Sequence, residues 1–211
     1  MLQPLPGSRR EVNNIDKLLR KNGWQTTVLT GREATASAVK TAQSPTVLHL
    51  ATHGYFWENL RNKELPFGAG YAKEEPMLRT MLFFAGAQNT IQQKTTAAQA
   101  DDGILSAFEA QNLRLDGTEL VVLSACNTGA GVVKTGEGVF GLQRALKVAG
   151  AQNLLLSLWS VDDQVTQLMM STFYAQWLSG QSRPTAFRAA QETVRAKYPQ
   201  PFYWGAFFLV E

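Results

Sequence analysis

Leu120-Val121-Val122-Leu123-Ser124-Ala125-Cys126-Asn127-Thr128-Gly129 opens on an unbroken apolar run and ends in a polar turn. A run without polar alternation fits a strand buried on both faces, as in a parallel sheet covered by helices. Val47-Leu48-His49-Leu50-Ala51-Thr52-His53-Gly54 is built similarly, with His-Gly near where the first segment has Cys. Outward from these two lie further short apolar runs at Val28–Thr30, Leu154–Leu158 and Ala206–Val210. Amphipathic stretches separate them. Arg9 to Lys21 carries Val12, Ile15, Leu18 and Leu19 at helical spacing, and Glu33 to Ala42 reads as a shorter helix. Glu137 to Ala149 is stopped by Gly150, and Gln164 to Leu178 and Thr185 to Lys197 follow, with Pro184 at a helix start. This alternation predicts an α/β fold with a mostly parallel central sheet and helices on both faces. In such sheets the chemistry lies outside the C-terminal strand ends.

Tyr55 to Ala107 breaks the pattern. It holds Pro66, Gly68, Gly70 and Pro76, then a short strand at Met81–Phe84. Gly86 to Gly103 follows, rich in Gln, Thr and Ala, with Ile91 as its only large aliphatic residue. So little apolar surface predicts an exposed, mobile segment, with Lys94 as a processing point.

The chain has 211 residues, 45% hydrophobic and 18% charged, a composition that suits one globular domain over residues 1–211. A net charge of +3, with Lys and Arg spread along the chain, gives no basic patch for nucleic acid. The longest mainly apolar stretch, about 153–161, is too short for a bilayer span, so no membrane association is expected. With no apolar segment after the first Met, a cytoplasmic location is expected. A single Cys excludes an intrachain disulfide and any multi-Cys metal site.

The reactive residue types stand just past strand ends. If the two strands are parallel neighbours, His53 and Cys126 face the same sheet edge. A thiol needs a base or an imidazolium partner to exist as thiolate near neutral pH, and one Cys with one His can supply that pair. The other reading of a lone Cys after an apolar strand is a small buried hydrophobe.

The chain resembles the CHAT family of caspase-like cysteine peptidases. The matching segments are His49-Leu-Ala-Thr-His53-Gly54, Leu123-Ser-Ala-Cys126-Asn-Thr-Gly129 and Gly136-Glu-Gly-Val-Phe-Gly-Leu142. Ala149-Gly-Ala151, Ser157-Leu-Trp-Ser-Val-Asp-Asp163 and Tyr203-Trp-Gly-Ala-Phe207 continue the match over about Leu5 to Val210. The resemblance implies a caspase-like three-layer α/β/α sandwich and a His–Cys dyad, with His53 as base and Cys126 as nucleophile. It also implies an oxyanion hole from the backbone N–H groups of Gly54 and Cys126, two fixed donors for the charge of a tetrahedral intermediate. Family members carry upstream sequence, including a first strand before a segment like Pro4-Leu5-Pro6-Gly7. The chain is therefore expected to be part of a longer protein with upstream regulatory or repeat domains.

His49 precedes His53 by four residues, but four residues of strand span roughly 13 Å, too far for one shared ion, so His49 reads as structural or supporting. Gly136-Glu-Gly-Val-Phe-Gly141 matches G-x-G-x-x-G. It starts about ten residues after the strand that ends near Cys126, which speaks against a dinucleotide loop and for a helix entry packed on the sheet.

The expected substrate pocket draws on Ser124, Asp162, Asp163 and Trp159. Related branches that prefer a basic residue often carry an acid two positions before the Cys, where this chain has Ser124. Asp163, in Leu158-Trp-Ser-Val-Asp-Asp163, resembles the separase-like arrangement, where an acid after the next strand meets an arginine. One of the two aspartates is equally suited to cap the following helix. Trp159 could wall the arginine stem.

The function expected is a cysteine endopeptidase acting on protein or peptide substrates through an acyl-enzyme, a dyad that needs no cofactor. The competing expectation is a catalytically silent caspase-like interaction module that depends on partner or upstream domains.

Overall fold

The computed structural model describes residues 2, 5–56, 77, 80–92, 101–124, 137–159 and 162–211. In chain order its elements are α1 (Pro6–Lys21), a 3-10 turn (Gly31–Glu33), α2 (Ala36–Lys40), β1 (Val47–Leu50) and β2 (His53–Phe56). Then come β3 (Thr80–Phe83), α3 (Ala87–Ile91), β4 (Ile104–Ser106), α4 (Ala107–Ala110), β5 (Leu120–Leu123) and α5 (Glu137–Val148). The chain ends with β6 (Leu154–Ser157), α6 (Asp163–Leu178), α7 (Arg183–Lys197), α8 (Pro201–Trp204) and β7 (Phe207–Val210).

The apolar runs become one sheet of order β1-β5-β6-β7. β1, β5 and β6 are parallel neighbours, with Leu50 opposite Leu123 and Leu123 opposite Leu156. β7 runs antiparallel to β6. The side-chain period of two sorts this sheet into two buried faces. Leu48, Leu50, Val121, Leu123, Leu154 and Leu156 pack with Ala107 and Ala110 of α4 and Leu142, Ala145 and Leu146 of α5. Val47, Leu120, Val122, Leu155, Phe207 and Leu209 pack with Ile15 and Leu19 of α1, Val165 and Phe173 of α6, and Val194 of α7. Helices thus cover both faces, and the chain is a three-layer α/β/α sandwich. Leu155 is fully buried, so truncating it to Ala would cost roughly 2–5 kcal/mol.

Local chemistry sets the helix ends. Pro6 occupies the first turn of α1, where a fixed φ helps and a missing N–H costs nothing, and Arg20 and Lys21 meet the negative carboxyl end. The Asp162 carboxylate caps α6 by accepting the Gln164 N–H at 2.7 Å. Ser182 caps α7 through the Thr185 N–H. Gly141 brings α5 close to β3: a Cβ there would stand 3.3 Å from the Thr80 hydroxyl.

A separate antiparallel sheet, β2-β3-β4, carries the chain away from the parallel sheet. It has its own apolar cluster of Met81, Phe83, Ala87 and Ile104. For the two described ends of that segment, residues 86–92 and 101–103, this corrects the expectation that Gly86 to Gly103 is exposed and mobile. Its first part forms α3, whose Ala87 is fully buried. At its other end, the Asp101 carboxylate accepts N–H groups from Ser37 of α2 and from Gly103. Ala87 and Ile91 give α3 enough apolar contact to dock. Lys94 lies outside the described residues.

Two further expectations change. Val28–Thr30 pairs with no strand in the described structure, and Leu29 stands 44% exposed. Glu33 to Ala42 is not one helix: the Thr35 hydroxyl accepts the Ala38 N–H at 3.1 Å and starts α2 afresh after the 3-10 turn. Among the described residues no helix is long and apolar enough to cross a membrane.

Candidate active site

Because β1, β5 and β6 are parallel, their C-terminal ends share one edge. The segments leaving that edge carry the residues singled out by sequence. After Leu50 the chain takes two residues to enter β2, whose first residue is His53. His53 is half-buried and sits opposite Phe83 of β3, and the buried Gly54 sits opposite Leu82. The Thr52 hydroxyl donates to the Phe83 carbonyl, which ties the crossing between the sheets to β3. On β5 the Ser124 N–H donates to the Leu50 carbonyl at 2.9 Å and extends the β1–β5 pairing by one step. Cys126, two residues further along the chain, lies outside the described residues, as does Gly136.

Beneath this edge lies a buried polar cluster. Glu11 of α1 is 4% exposed. One carboxylate oxygen is 2.9 Å from His49 Nε2, and the other accepts the Ser124 hydroxyl at 3.2 Å. His49 Nδ1 is 3.1 Å from the Tyr174 hydroxyl of α6. A carboxylate only accepts, so the His49 Nε2 carries a hydrogen toward Glu11, and in the neutral ring Nδ1 accepts from Tyr174. Burial pushes the Tyr174 phenol well above its ordinary range, and the Glu11 charge adds to the rise, so it stays protonated as a donor. The sequence reading of His49 as a supporting residue agrees with this setting. Ser124, expected at the substrate pocket, directs its hydroxyl inward to Glu11.

At the end of β6, Asp162 is the cap of α6 and Asp163 its first residue, and both are exposed. The Asp163 carboxylate lies over the first turn of α1, where a Cβ on Gly7 would stand 2.1 Å from its Cγ. Only a residue without a side chain leaves room there, and the positive end of α1 suits a carboxylate. Trp159 donates its indole N–H to the Phe202 carbonyl at 2.8 Å and stacks on the Phe202 ring. Trp159 therefore lies against Phe202, and Asp163 against the first turn of α1. Among the described residues no group of three His, Cys, Asp or Glu side chains could hold a metal ion.

Glu11 is the residue that the sequence reading did not single out. Its signal is spacing: Glu11, Ile15 and Leu19 recur every four residues and are all buried on one face of α1. A carboxylate within an apolar stripe calls for a buried partner.

A family model described as CHAT domain matches residues 1–211. The chain is 27% identical over 222 residues to Tetratricopeptide repeat protein 28 of Mus musculus, and equally so to that of Homo sapiens. Each match covers 98% of this chain and 8% of the relative's length.

Proposed function

The chain belongs to the CHAT-domain family, and from that premise we propose that it is a cysteine endopeptidase with His53 as general base and Cys126 as nucleophile. The observation that carries this reading is the register of β1 and β5, parallel neighbours with Leu50 opposite Leu123. His53 and Cys126 each follow that matched pair by three residues. In the proposed reaction His53 takes the thiol proton and the thiolate attacks the scissile carbonyl. The leaving amine departs with a proton from His53, and water then hydrolyses the thioester. The backbone N–H groups of Gly54 and Cys126 are the proposed donors to the oxyanion.

Asp163, with Asp162 beside it and Trp159 before it, is the proposed source of preference for Arg or Lys before the cut. A carboxylate at this edge pairs with a guanidinium through charge-assisted hydrogen bonds. Residues 1–211 are proposed to act as one peptidase domain of a longer cytoplasmic protein with upstream repeats. Support for the repeat context comes from the name of the relatives, of which this chain spans 8% of the length. The same name supports a second reading, a silent interaction module beside repeats.

A peptide-library cleavage assay on the wild type and Cys126→Ala separates the two readings. Cuts made only by the wild type support the peptidase. A wild type that cuts nothing, and whose thiol labels no faster than free cysteine, supports the module.

A further inference from the structure

Among the described residues, Glu11 is the one buried carboxylate. Taking a carboxylate out of water is costly unless donors replace the lost hydration. A leucine here would continue the Ile15 and Leu19 stripe without that cost. Glu11 nevertheless meets two strands at once: one oxygen faces His49 of β1 and the other accepts from Ser124 at the end of β5. His49 stands four residues before His53, and Ser124 stands two before Cys126. Tyr174 holds the far side of the His49 ring, so the ring has little freedom to turn.

We propose that Glu11 is a positioning residue that clamps the C-terminal ends of β1 and β5 and thereby sets the alignment of His53 with Cys126. The proposal rests on the dyad reading. Glu11 touches no reacting atom. It acts through His49 and Ser124, whose strands continue into the dyad segments. The clamp works by hydrogen-bond geometry: a carboxylate has two oxygens at a fixed angle, and each serves one strand. Small errors of alignment are expensive at a reacting pair, because proton transfer and attack both need near-contact geometry. The Ser124 N–H bond to the Leu50 carbonyl joins the same two strand ends through the backbone. The side-chain clamp and the backbone rung therefore act on one joint.

The test is the alkylation rate of Cys126 by iodoacetamide, followed by mass spectrometry across pH, in the 211-residue chain. Wild type, His53→Ala, Glu11→Ala, Glu11→Gln and Ser124→Ala are compared at a temperature where circular dichroism finds each one folded. The wild-type thiol should react faster than free cysteine, and His53→Ala should remove that excess. Glu11→Ala should lower the rate about tenfold or more, and Ser124→Ala about threefold. Glu11→Gln should stay within about threefold of wild type, because its amide oxygen still accepts from His49 and its amide nitrogen can donate to Ser124. If Glu11→Ala does not fold, Ser124→Ala and Glu11→Gln carry the comparison. Wild-type rates in Glu11→Ala and Ser124→Ala, with His53→Ala slow, overturn the positioning role and leave the dyad standing. Equal slowing by Glu11→Gln and Glu11→Ala contradicts a clamp made of hydrogen bonds. A wild-type thiol as slow as free cysteine and indifferent to His53→Ala overturns the dyad and the clamp together.

Discussion

The backbone N–H of Ser124 donates to the carbonyl of Leu50 at 2.9 Å, one step beyond the last paired residues of β1 and β5. Beyond it the β1 side enters β2 at His53, and on the β5 side Cys126 follows Ser124 by two residues in the sequence. The rung therefore joins the two strands three residues or fewer before each member of the proposed dyad.

Asp163→Ala tests the proposed specificity. Loss of a charged hydrogen-bond partner should lower cleavage after Arg by roughly 2 kcal/mol, with less effect on peptides with an apolar residue there. Initial rates on matched Arg and Leu peptides are the measurement. If Leu or Met peptides are cut as well as Arg peptides and Asp163→Ala changes nothing, the pocket assignment is wrong.

His49→Ala and His53→Ala should differ in activity, and His49→Ala should also lower stability. Removing His49 takes one hydrogen-bond donor from the buried Glu11 carboxylate, and a hydrogen bond to a charged group is worth roughly 1.5–3 kcal/mol. Urea unfolding should show that loss for His49→Ala. At a temperature where both are folded, His49→Ala should retain more cleavage than His53→Ala. The reverse order of activities would mean that the base has been misassigned.

Much of this layout is legible in the sequence. Strands buried on both faces read as continuous apolar runs, as β5 and β6 do; β1, at the sheet edge, is only half-buried over residues 47–49 and carries the polar His49 within its run. The direction of β7 is not legible, because an edge strand with the same apolar run can pair either way. Val28–Thr30 has strand composition, but composition does not supply a neighbour to pair with. β2 and β4 are four and three residues long and show no alternation, so they are visible only once β3 lies between them. The role of Glu11 is not legible in the sequence, because one acid on a helix usually faces water. Its burial depends on His49 and Ser124, 38 and 113 residues away along the chain.

Gly103→Ala and Gly117→Ala form a matched pair. Both glycines have left-handed backbones, with φ of 71° and 85°. A Cβ on Gly103 would stand 2.2 Å from the Ala87 nitrogen, whereas one on Gly117 would meet nothing within 4 Å. Backbone strain alone should cost roughly 1–2 kcal/mol at either site. The backbone collision should make Gly103→Ala clearly the worse in a thermal melt. Equal melting temperatures would contradict the packing of α3 on the Gly103 turn.

Glu109 should contribute to the acid limb of stability. Burial pushes its carboxyl up, but Lys40 at 2.7 Å and the Ser106 N–H and hydroxyl outweigh that and hold it below the usual carboxylate range. A carboxylate depressed in the folded state stabilises above its unfolded value, near about pH 4, and that stability is lost as pH falls through the folded value. Glu109→Gln should therefore flatten the drop in urea midpoint between about pH 5 and about pH 3 relative to wild type. An unchanged drop would show that the Ser106–Glu109–Lys40 group does not couple to acid unfolding.

The most direct measurement of the central claim is peptide-library cleavage by the wild type, Cys126→Ala and His53→Ala, each verified as folded. The account predicts cuts by the wild type, none by Cys126→Ala and none by His53→Ala. Cleavage that survives either substitution would contradict the dyad, as would a wild type that cuts nothing and whose Cys126 reacts no faster than free cysteine.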